Sequence, residues 1–414
     1  MGKKLTAWIL GALAIGLVVG FVINRSMSAD DAKAIASNLS IITDLFLRLI
    51  KMIIAPLVLA ALISGIGHMG GDAKALGRIG GRSIAWFIGA SLVSITIGII
   101  AVNWLQPGVG LDLPLPPADA SANLKTQEFT LKAFVTHLVP KSIFEALANN
   151  EILQIVVFSI FAGVALAAMG EKGKSLLNAM DALMHLMLII TGYVMRVAPF
   201  AVFAAVTATI AERGIGVLVT YGAFMGGFYV ALAILMGCIL LAGGFVIGMR
   251  NVARLAVQIR DPFVLAFSTA SSEAAYPKTL EALDRFGVPR KISSFVLPLG
   301  YSFNLDGSMM YCAFATIFIA QAYGIDLSIA QEITMLLLLM VTSKGMAGVP
   351  RASLVVIAAT LGFFGIPEGG LILILAVDHF LDMGRSATNV VGNAVATAVV
   401  AEWEKKTPAV TVQT

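Results

Sequence analysis

The sequence predicts an all-α polytopic membrane protein with eight transmembrane helices and two re-entrant helical hairpins. Of its 414 residues, 58% are hydrophobic and only 13% are charged, a composition far more apolar than that of a soluble domain. Apolar runs long enough to cross a bilayer, about 20 residues, recur along the chain. In the second half, shorter apolar runs alternate with small and polar residues, which is typical of hairpins that enter and leave the membrane on one side.

Six apolar runs in the first half have the length of membrane-spanning helices. Pro56 in the second run and Pro199 in the fifth predict bends. The polar segment 106–128 is predicted to be a surface loop, and the amphipathic segment 130–149, interrupted by Pro140, predicts an interfacial or tilted helix. The predicted spans are residues 5–23, 41–66, 84–104, 152–169, 176–210 and 217–247.

Beyond residue 260 the apolar runs become too short to cross a membrane. Residues 263–269 precede the sequence SSEAAYP, and residues 335–342 precede SKGMAGVP and a further short run, 354–364. Non-helical backbone at membrane depth is tolerated only where protein or a wet cavity satisfies its polar groups. The pattern therefore predicts two re-entrant hairpins at a transport site, although ordinary loops between short helices would also fit it. The hairpins are expected at residues 252–290 and 328–366.

The basic residues indicate topology rather than a nucleic-acid partner. The net charge is +4, but Lys and Arg are scattered over the loops between apolar runs. With a cytoplasmic N-terminus, the basic loops fall inside and the loops rich in Asp and Glu fall outside. The hairpins then enter from opposite sides of the lipid bilayer. We expect a multi-pass protein of the cell inner membrane with both termini in the cytoplasm.

The run 370–403 is long and apolar enough for the eighth span, yet it carries ionisable and amide side chains. A charge at mid-bilayer costs about 2.5 to over 10 kcal/mol, so such groups normally face a bundle interior or a wet cavity. One arginine against two aspartates leaves a formal charge of −1, which a cation, a proton or an ammonium group would balance. A purely structural network between helices is the alternative. At about 100° per residue, an arc of about 80° contains Asp378, Asp382, Arg385, Asn389 and Asn393.

The seventh span is predicted to be interrupted within residues 300–311, GYSFNLDGSMMY. Asn304, Asp306 and Gly307 are poor residues for a helix interior. An unwound turn would place backbone carbonyls beside the Asp306 carboxylate, an oxygen-rich arrangement that suits a cation. A kink without a ligand is the alternative.

The tip of the first predicted hairpin carries two serines and an acid. Backbone N–H groups near Ser271 and Ser272 suit an anion, although a serine-rich turn alone is not specific. Glu273 is either a proton site at membrane depth or a residue that faces water.

Four motifs follow one another along the chain: SSEAAYP, GYSFNLDGS, SKGMAGVP and DHFLDMGRSATNVVGN. In this order they resemble the dicarboxylate/amino acid:cation symporter family, which includes the glutamate and aspartate transporters. The resemblance covers nearly the whole chain and implies a homotrimer whose protomers transport independently by an elevator movement. It also implies a scaffold at residues 1–70 and 106–213, a transport domain at 71–105 and 214–404, and a cytoplasmic tail at 405–414.

The resemblance also assigns the substrate contacts. Arg385 would pair with the side-chain carboxylate of the substrate, since its bidentate fork suits that geometry. Asp382 would hold the α-ammonium, and four-carbon dicarboxylate carriers lack an acid there. An acidic amino acid is therefore favoured over succinate or malate, with a dicarboxylate symporter as the alternative. The α-carboxylate region would contact Ser271, Ser272, Asn389 and Gly348, while Ser308 and Ser386 match hydroxyl positions where threonine is commonest.

The coupling ion is where the chain departs from the sodium-dependent members. Asn393 stands where they have a sodium-binding aspartate, and Phe87 and Ala90 replace a tyrosine and a threonine, leaving Ser91. Met346 also replaces a threonine. With these oxygen ligands removed, the protein would poorly replace the hydration shell that a sodium ion loses on binding, so proton coupling is favoured. Sodium coupling is the alternative, with Asn304, Asp306 and Asn389 as its ligands.

A proton-coupled carrier needs a carboxylate that titrates during the cycle. The candidates are Asp306, Asp378, Asp382 and Glu273. The glutamate that carries a proton in animal members corresponds to Cys312, whose thiol has an ordinary pKa of about 8.5 and is a poor substitute.

Other function classes find little support in the sequence. A membrane hydrolase would need a nucleophile with a base, or a metal cluster, and no GxSxG, HExxH or Cys/His cluster is present. We therefore expect no enzymatic activity and no cofactor. A channel would line a continuous pore around an axis, whereas a single intramembrane arginine beside two acids suits one bound zwitterion.

Overall fold

The computed structural model describes residues 2–67, 73–109, 139–214, 221–342, 352–375 and 377–405. Within these ranges the secondary structure is helical and contains no strand, which confirms the predicted all-α class. Gly348, Met346, the tip of the second hairpin and most of the predicted loop at 106–128 lie outside the described residues.

The described residues up to 214 form mainly long apolar helices. Pro199 lies in the first turn of α7, where its missing N–H is tolerated, and Gly214 follows the end of that helix with a φ of +68°. The helices are α1 (Gly2–Ser26), α2 (Ala29–Gly67), α3 (Ala73–Leu105), α4 (Ile143–Ala148), α5 (Ile152–Ala168), α6 (Lys174–Val194) and α7 (Ala198–Arg213).

From residue 222 onward, the described chain contains two helices of 26 and 28 residues and several shorter ones. The connection between α10 and α11 is a tight turn, where Ala270 has a φ of +49° and Ser271 caps α11 by accepting a hydrogen bond from the Ala274 N–H. The helices are α8 (Gly222–Ile247), α9 (Met249–Gln258), α10 (Arg260–Thr269), α11 (Ser272–Phe286), α12 (Arg290–Phe303), α13 (Asp306–Ala322), α14 (Ile329–Thr342), α15 (Ala352–Phe363), α16 (Leu371–Leu375) and α17 (Asp378–Lys405).

The described helices pack mainly in two groups. In one, α2 lies against α5, α6 and α7, and α1 lies against α7. In the other, α17 is surrounded by α8, α10, α12 and α13, and α3 packs along α13. The groups meet where α12 and α11 contact α2 and where α10 contacts α1. Helix α17, most of whose residues are buried, therefore lies at the centre of the second group.

The helices differ from the predicted spans at their ends. Six helical stretches among the described residues are long and apolar enough to cross a membrane, and several other apolar helices are shorter. The eight-span arrangement therefore stays a prediction. One expectation was wrong: residues 370–403 do not form one helix, because Val377 lies in a turn and α17 begins at Asp378. A carboxylate in the first turn suits the positive end of the helix dipole.

Candidate functional site

A buried arginine on α17 forms the centre of the site. The Arg385 side chain is 2% exposed, and its Nη2 lies 3.3 Å from Asp378 Oδ1 and 2.9 Å from Asp382 Oδ1. Its Nε donates to Asp382 Oδ1 at 3.2 Å. The guanidinium lies over the Tyr311 ring, 4.1 Å from the centroid, a favourable cation–π geometry. The polar stripe predicted on this span therefore faces the protein interior.

Tyr311 of α13 contacts two residues of the same cluster, Asp378 and Arg385. Its hydroxyl donates to Asp378 Oδ1 at 3.1 Å, so the Asp378 carboxylate is held between Tyr311 and Arg385. The Asp378 side chain is buried. Asp378 and Asp382 contact the same guanidinium nitrogen, Nη2.

The remaining side of the cluster is open. The Asp382 side chain is 33% exposed, in contrast to Arg385 beside it. Among the described residues, the buried Arg385 Nη1 has no hydrogen-bond partner. A buried donor without a partner carries a free-energy cost of about 1–3 kcal/mol, more for a charged group. The cluster thus offers one unused cationic donor and one accessible carboxylate.

The seventh span is interrupted where the sequence predicted. Helix α12 ends at Phe303, Asn304 and Leu305 are non-helical, and α13 begins at Asp306. Asn389 of α17 connects to the new helix, because its Oδ1 accepts from the Gly307 N–H at 2.9 Å and its Nδ2 donates to Ser308 Oγ at 3.1 Å. Its amide therefore satisfies backbone groups freed by the interruption.

A second polar cluster surrounds Asp306. This fully buried carboxylate accepts hydrogen bonds from Asn304 Nδ2 at 3.0 Å and from Ser94 Oγ at 3.3 Å. Asn304 Nδ2 also lies 3.3 Å from Asn393 Oδ1. Asn304 Oδ1 and Asn393 Nδ2 have no hydrogen-bond partner among the described residues. The predicted coupling candidates Asn304, Asp306 and Asn393 are therefore brought together by the fold.

Two glycines allow α13 to pack closely on α17. A Cβ on Gly392 would overlap the Asp306 carboxylate, and a Cβ on Gly307 would lie 2.7 Å from the Arg385 carbonyl oxygen. The absence of side chains at both positions lets α13 pack directly on α17. Substituting either glycine would separate the helices that carry the site.

The other predicted residues have different surroundings. Ser386 Oγ donates to Asp382 Oδ1 at 3.4 Å, and Ser91 Oγ donates to the Phe87 carbonyl at 2.5 Å. Ser271 and Ser272 begin α11 and are partly buried. Glu273 lines a small cavity beside α2 and α5, so it lies where the two helix groups meet.

Residues 5–403 match the Sodium:dicarboxylate symporter family. The chain belongs to this family. This symporter is 42% identical over 414 residues to the proton/glutamate-aspartate symporter of Escherichia coli (strain K12), covering 97% of this chain and 93% of that protein. It is 40% identical over 409 residues to the proton/sodium-glutamate symport protein of Bacillus caldotenax, covering 98% and 96%. It is 36% identical over 410 residues to the C4-dicarboxylate transport protein of Bacillus subtilis (strain 168), covering 98% and 94%.

Family membership confirms the broad class predicted from the motifs. The protein is a multi-pass membrane symporter for a dicarboxylate or an acidic amino acid, and it is a transporter rather than an enzyme. The names of its relatives include both glutamate symporters and C4-dicarboxylate carriers. They also include proton and sodium among the coupling ions.

The structure adds site residues of this symporter that the sequence did not indicate. Tyr311 contacts both charged residues of the Arg385 cluster, and Ser94 of α3 bonds the Asp306 carboxylate. Tyr311 ends the segment 300–311 that was predicted to be interrupted, but its sequence context indicated no contact with Arg385, and Ser94 is far from Asp306 along the chain. Serine on an apolar helix was the only available signal, and by itself it does not identify a partner.

Proposed function

We propose that this symporter imports an acidic amino acid, glutamate or aspartate, together with protons. The observation that carries the proposal is the half-open Arg385 cluster. The unused Nη1 of Arg385 would bind the side-chain carboxylate of the substrate, and the exposed Asp382 would bind its α-ammonium.

The charge of the cluster favours an amino acid over a dicarboxylate. Arg385, Asp378 and Asp382 together carry a formal charge of −1. A dicarboxylate would place two more negative charges beside Asp382 with no ammonium to pair with it. An acidic amino acid supplies that ammonium, although the complex still has a formal charge of −2. Cations must therefore accompany the substrate into the buried site.

The contacts of Asp306 support protons as those cations. Both hydrogen bonds given above come to its carboxylate from neutral groups, Ser94 and Asn304, whereas Asp378 and Asp382 bond the guanidinium of Arg385. A fully buried carboxylate that accepts hydrogen bonds from neutral donors is tolerated when it is protonated. Asn393 contributes a neutral oxygen to this cluster, at the position where the resemblance places a sodium-binding aspartate in the sodium-dependent members, so a sodium ion would lack that negative charge. We therefore propose Asp306 as the carboxylate that carries the proton.

Proteoliposomes with the two ion gradients imposed separately test the coupling. Uptake of labelled L-aspartate or L-glutamate is expected with an inward proton gradient in sodium-free buffer. An inward sodium gradient at equal pH on both sides should give no accumulation. Accumulation driven by sodium alone would refute proton coupling.

The same vesicles test the substrate class. Unlabelled L-aspartate and L-glutamate should compete with the labelled amino acid, while succinate and malate should compete weakly. Stronger competition by succinate would favour the dicarboxylate alternative, which the relative from Bacillus subtilis represents.

We further propose an elevator movement of residues 71–105 and 214–404 against a scaffold formed by residues 1–70 and 106–213. The separate packing of α17 with its neighbours and of α2 with α5, α6 and α7 supports this division. We propose a homotrimer in the inner membrane with cytoplasmic termini, as the resemblance implies. The mass of the detergent-solubilised protein from light scattering tests the trimer, and a monomer would refute it.

A further inference from the structure

Helix α9 presents an unusual surface at the base of the first hairpin. It follows α8, an apolar helix long enough to cross a membrane. The two helices are separated by Gly248, whose φ of +89° ends α8 and turns the chain. Because α8 ends there, α9 begins at the level where the chain leaves the hydrocarbon region.

The buried face of α9 is fully explained by the fold. Val252, Leu255 and the following Ile259 are buried, and the helix packs on α11 and α17. Arg254 is held in place at one edge, since it donates to the Phe286 carbonyl at 3.1 Å and its guanidinium lies 4.7 Å from the Phe286 ring centroid. The outward face is therefore presented in a fixed orientation.

That outward face contains an apolar row beside a basic row. Met249 and Val257 are 56% and 62% exposed, and together with the exposed Ala253 they cover an arc of about 80°. Arg250 and Arg254, both exposed, lie directly beside them within about 40° of each other. Helix α9 contains no acidic residue.

We propose that this face of α9, the paired apolar and basic rows, binds an anionic phospholipid. The two guanidinium groups would hold the negatively charged headgroup, and an acyl chain would lie along Met249, Ala253 and Val257. Phe245, in the last turn of α8, is also exposed and adds apolar surface shortly before α9 begins. The basic row matches the headgroup of a lipid, and the apolar row beside it matches an acyl chain. A soluble anion or an acidic protein segment would use only the basic row.

Retention of lipid by the purified protein tests the proposal. The detergent-solubilised protein is mixed with phosphatidylglycerol or phosphatidylcholine, and bound lipid is counted by native mass spectrometry. The wild type should retain more phosphatidylglycerol than phosphatidylcholine. Loss of one arginine near a negative membrane surface weakens binding about fivefold, so Arg250→Gln with Arg254→Gln should weaken it roughly 25-fold.

Matched variants separate this site from general charge effects. Lys172→Gln with Lys174→Gln removes two exposed charges elsewhere and should leave retention unchanged. Arg250→Lys with Arg254→Lys should restore most of the phosphatidylglycerol retention. Val257→Gln should lower this retention although both arginines are present. Equal retention of the two lipids by the wild type, or unchanged retention by the double glutamine variant, would overturn the proposal. So would displacement of the lipid by soluble glycerol phosphate, because the anion alone would then suffice.

Discussion

Two polar clusters include residues of the same helix, α17, and they differ in charge and in access. The Arg385 cluster contains a permanent cation between two aspartates and opens at Asp382. The Asp306 cluster is closed, and the hydrogen bonds described for its carboxylate come from neutral groups. An open site with fixed charges suits a charged guest, whereas a closed site with one carboxylate suits a group that changes its own charge. On the proposed function, the substrate would bind at the first two turns of α17, and the coupling proton would be carried by Asp306 of α13, which faces the middle of α17.

The largest effect is expected when the cation of the open cluster is removed. Arg385→Cys removes the guanidinium proposed to pair bidentately with the substrate carboxylate, and each hydrogen bond to a charged group contributes about 1.5–3 kcal/mol. Aspartate uptake should fall at least about 100-fold, since 1.4 kcal/mol corresponds to about tenfold in affinity. The measurement is radiolabelled uptake in proteoliposomes, with the exposed Lys172→Cys as the control. Undiminished uptake by Arg385→Cys would refute the role of the arginine.

Removing the titratable group of the closed cluster should separate coupling from binding. Asp306→Asn keeps the shape of the side chain but cannot gain or lose a proton. We expect uptake driven by a proton gradient to fall to background, while exchange of internal for external aspartate persists. Asp326→Asn, on an exposed acid, is the control. Normal proton-driven accumulation by Asp306→Asn would move the proton site to another carboxylate.

Neutralising Asp382, the exposed acid of the Arg385 cluster, should change the preference between aspartate and succinate. Asp382→Asn removes the proposed partner of the α-ammonium, and a hydrogen bond to a charged group contributes about 1.5–3 kcal/mol. The affinity for aspartate should fall about 10- to 100-fold, while inhibition by succinate stays equal or improves. A parallel loss for both compounds, measured by competition, would mean that Asp382 only supports the fold.

The smallest effect is expected from a residue that orients the open cluster. Tyr229 of α8 donates to the Phe380 carbonyl at 2.6 Å in the first turn of α17, and its ring packs against Gly384. Tyr229→Phe removes a hydrogen bond of about 0.5–1.5 kcal/mol. The KM for aspartate should rise about 2- to 10-fold with little change in the maximal rate, and the exposed Tyr193→Phe should change neither. A lower rate at unchanged KM would contradict a positioning role.

Helical periodicity explains why much of the first cluster was predictable. Asp378, Asp382 and Arg385 lie on one helix, so their spacing alone places them on one face. The interruption at Asn304 was also predictable, because its local residues disfavour a helix. Tyr311, Ser94 and Tyr229 were not, since each reaches the site from another helix. Sequence spacing does not report which surfaces of two apolar helices meet.

The sequence by itself determined the membrane class, the polar stripe and the unwound turn, because these depend on composition and on spacing within one segment. The tertiary structure decided that α17 begins at Asp378, that Asp382 is open while Arg385 is buried, and that Ser94 reaches Asp306. It also placed Glu273 beside α2 and α5, away from the stripe. These outcomes depend on close packing between distant segments, which Gly307 and Gly392 permit by carrying no side chain.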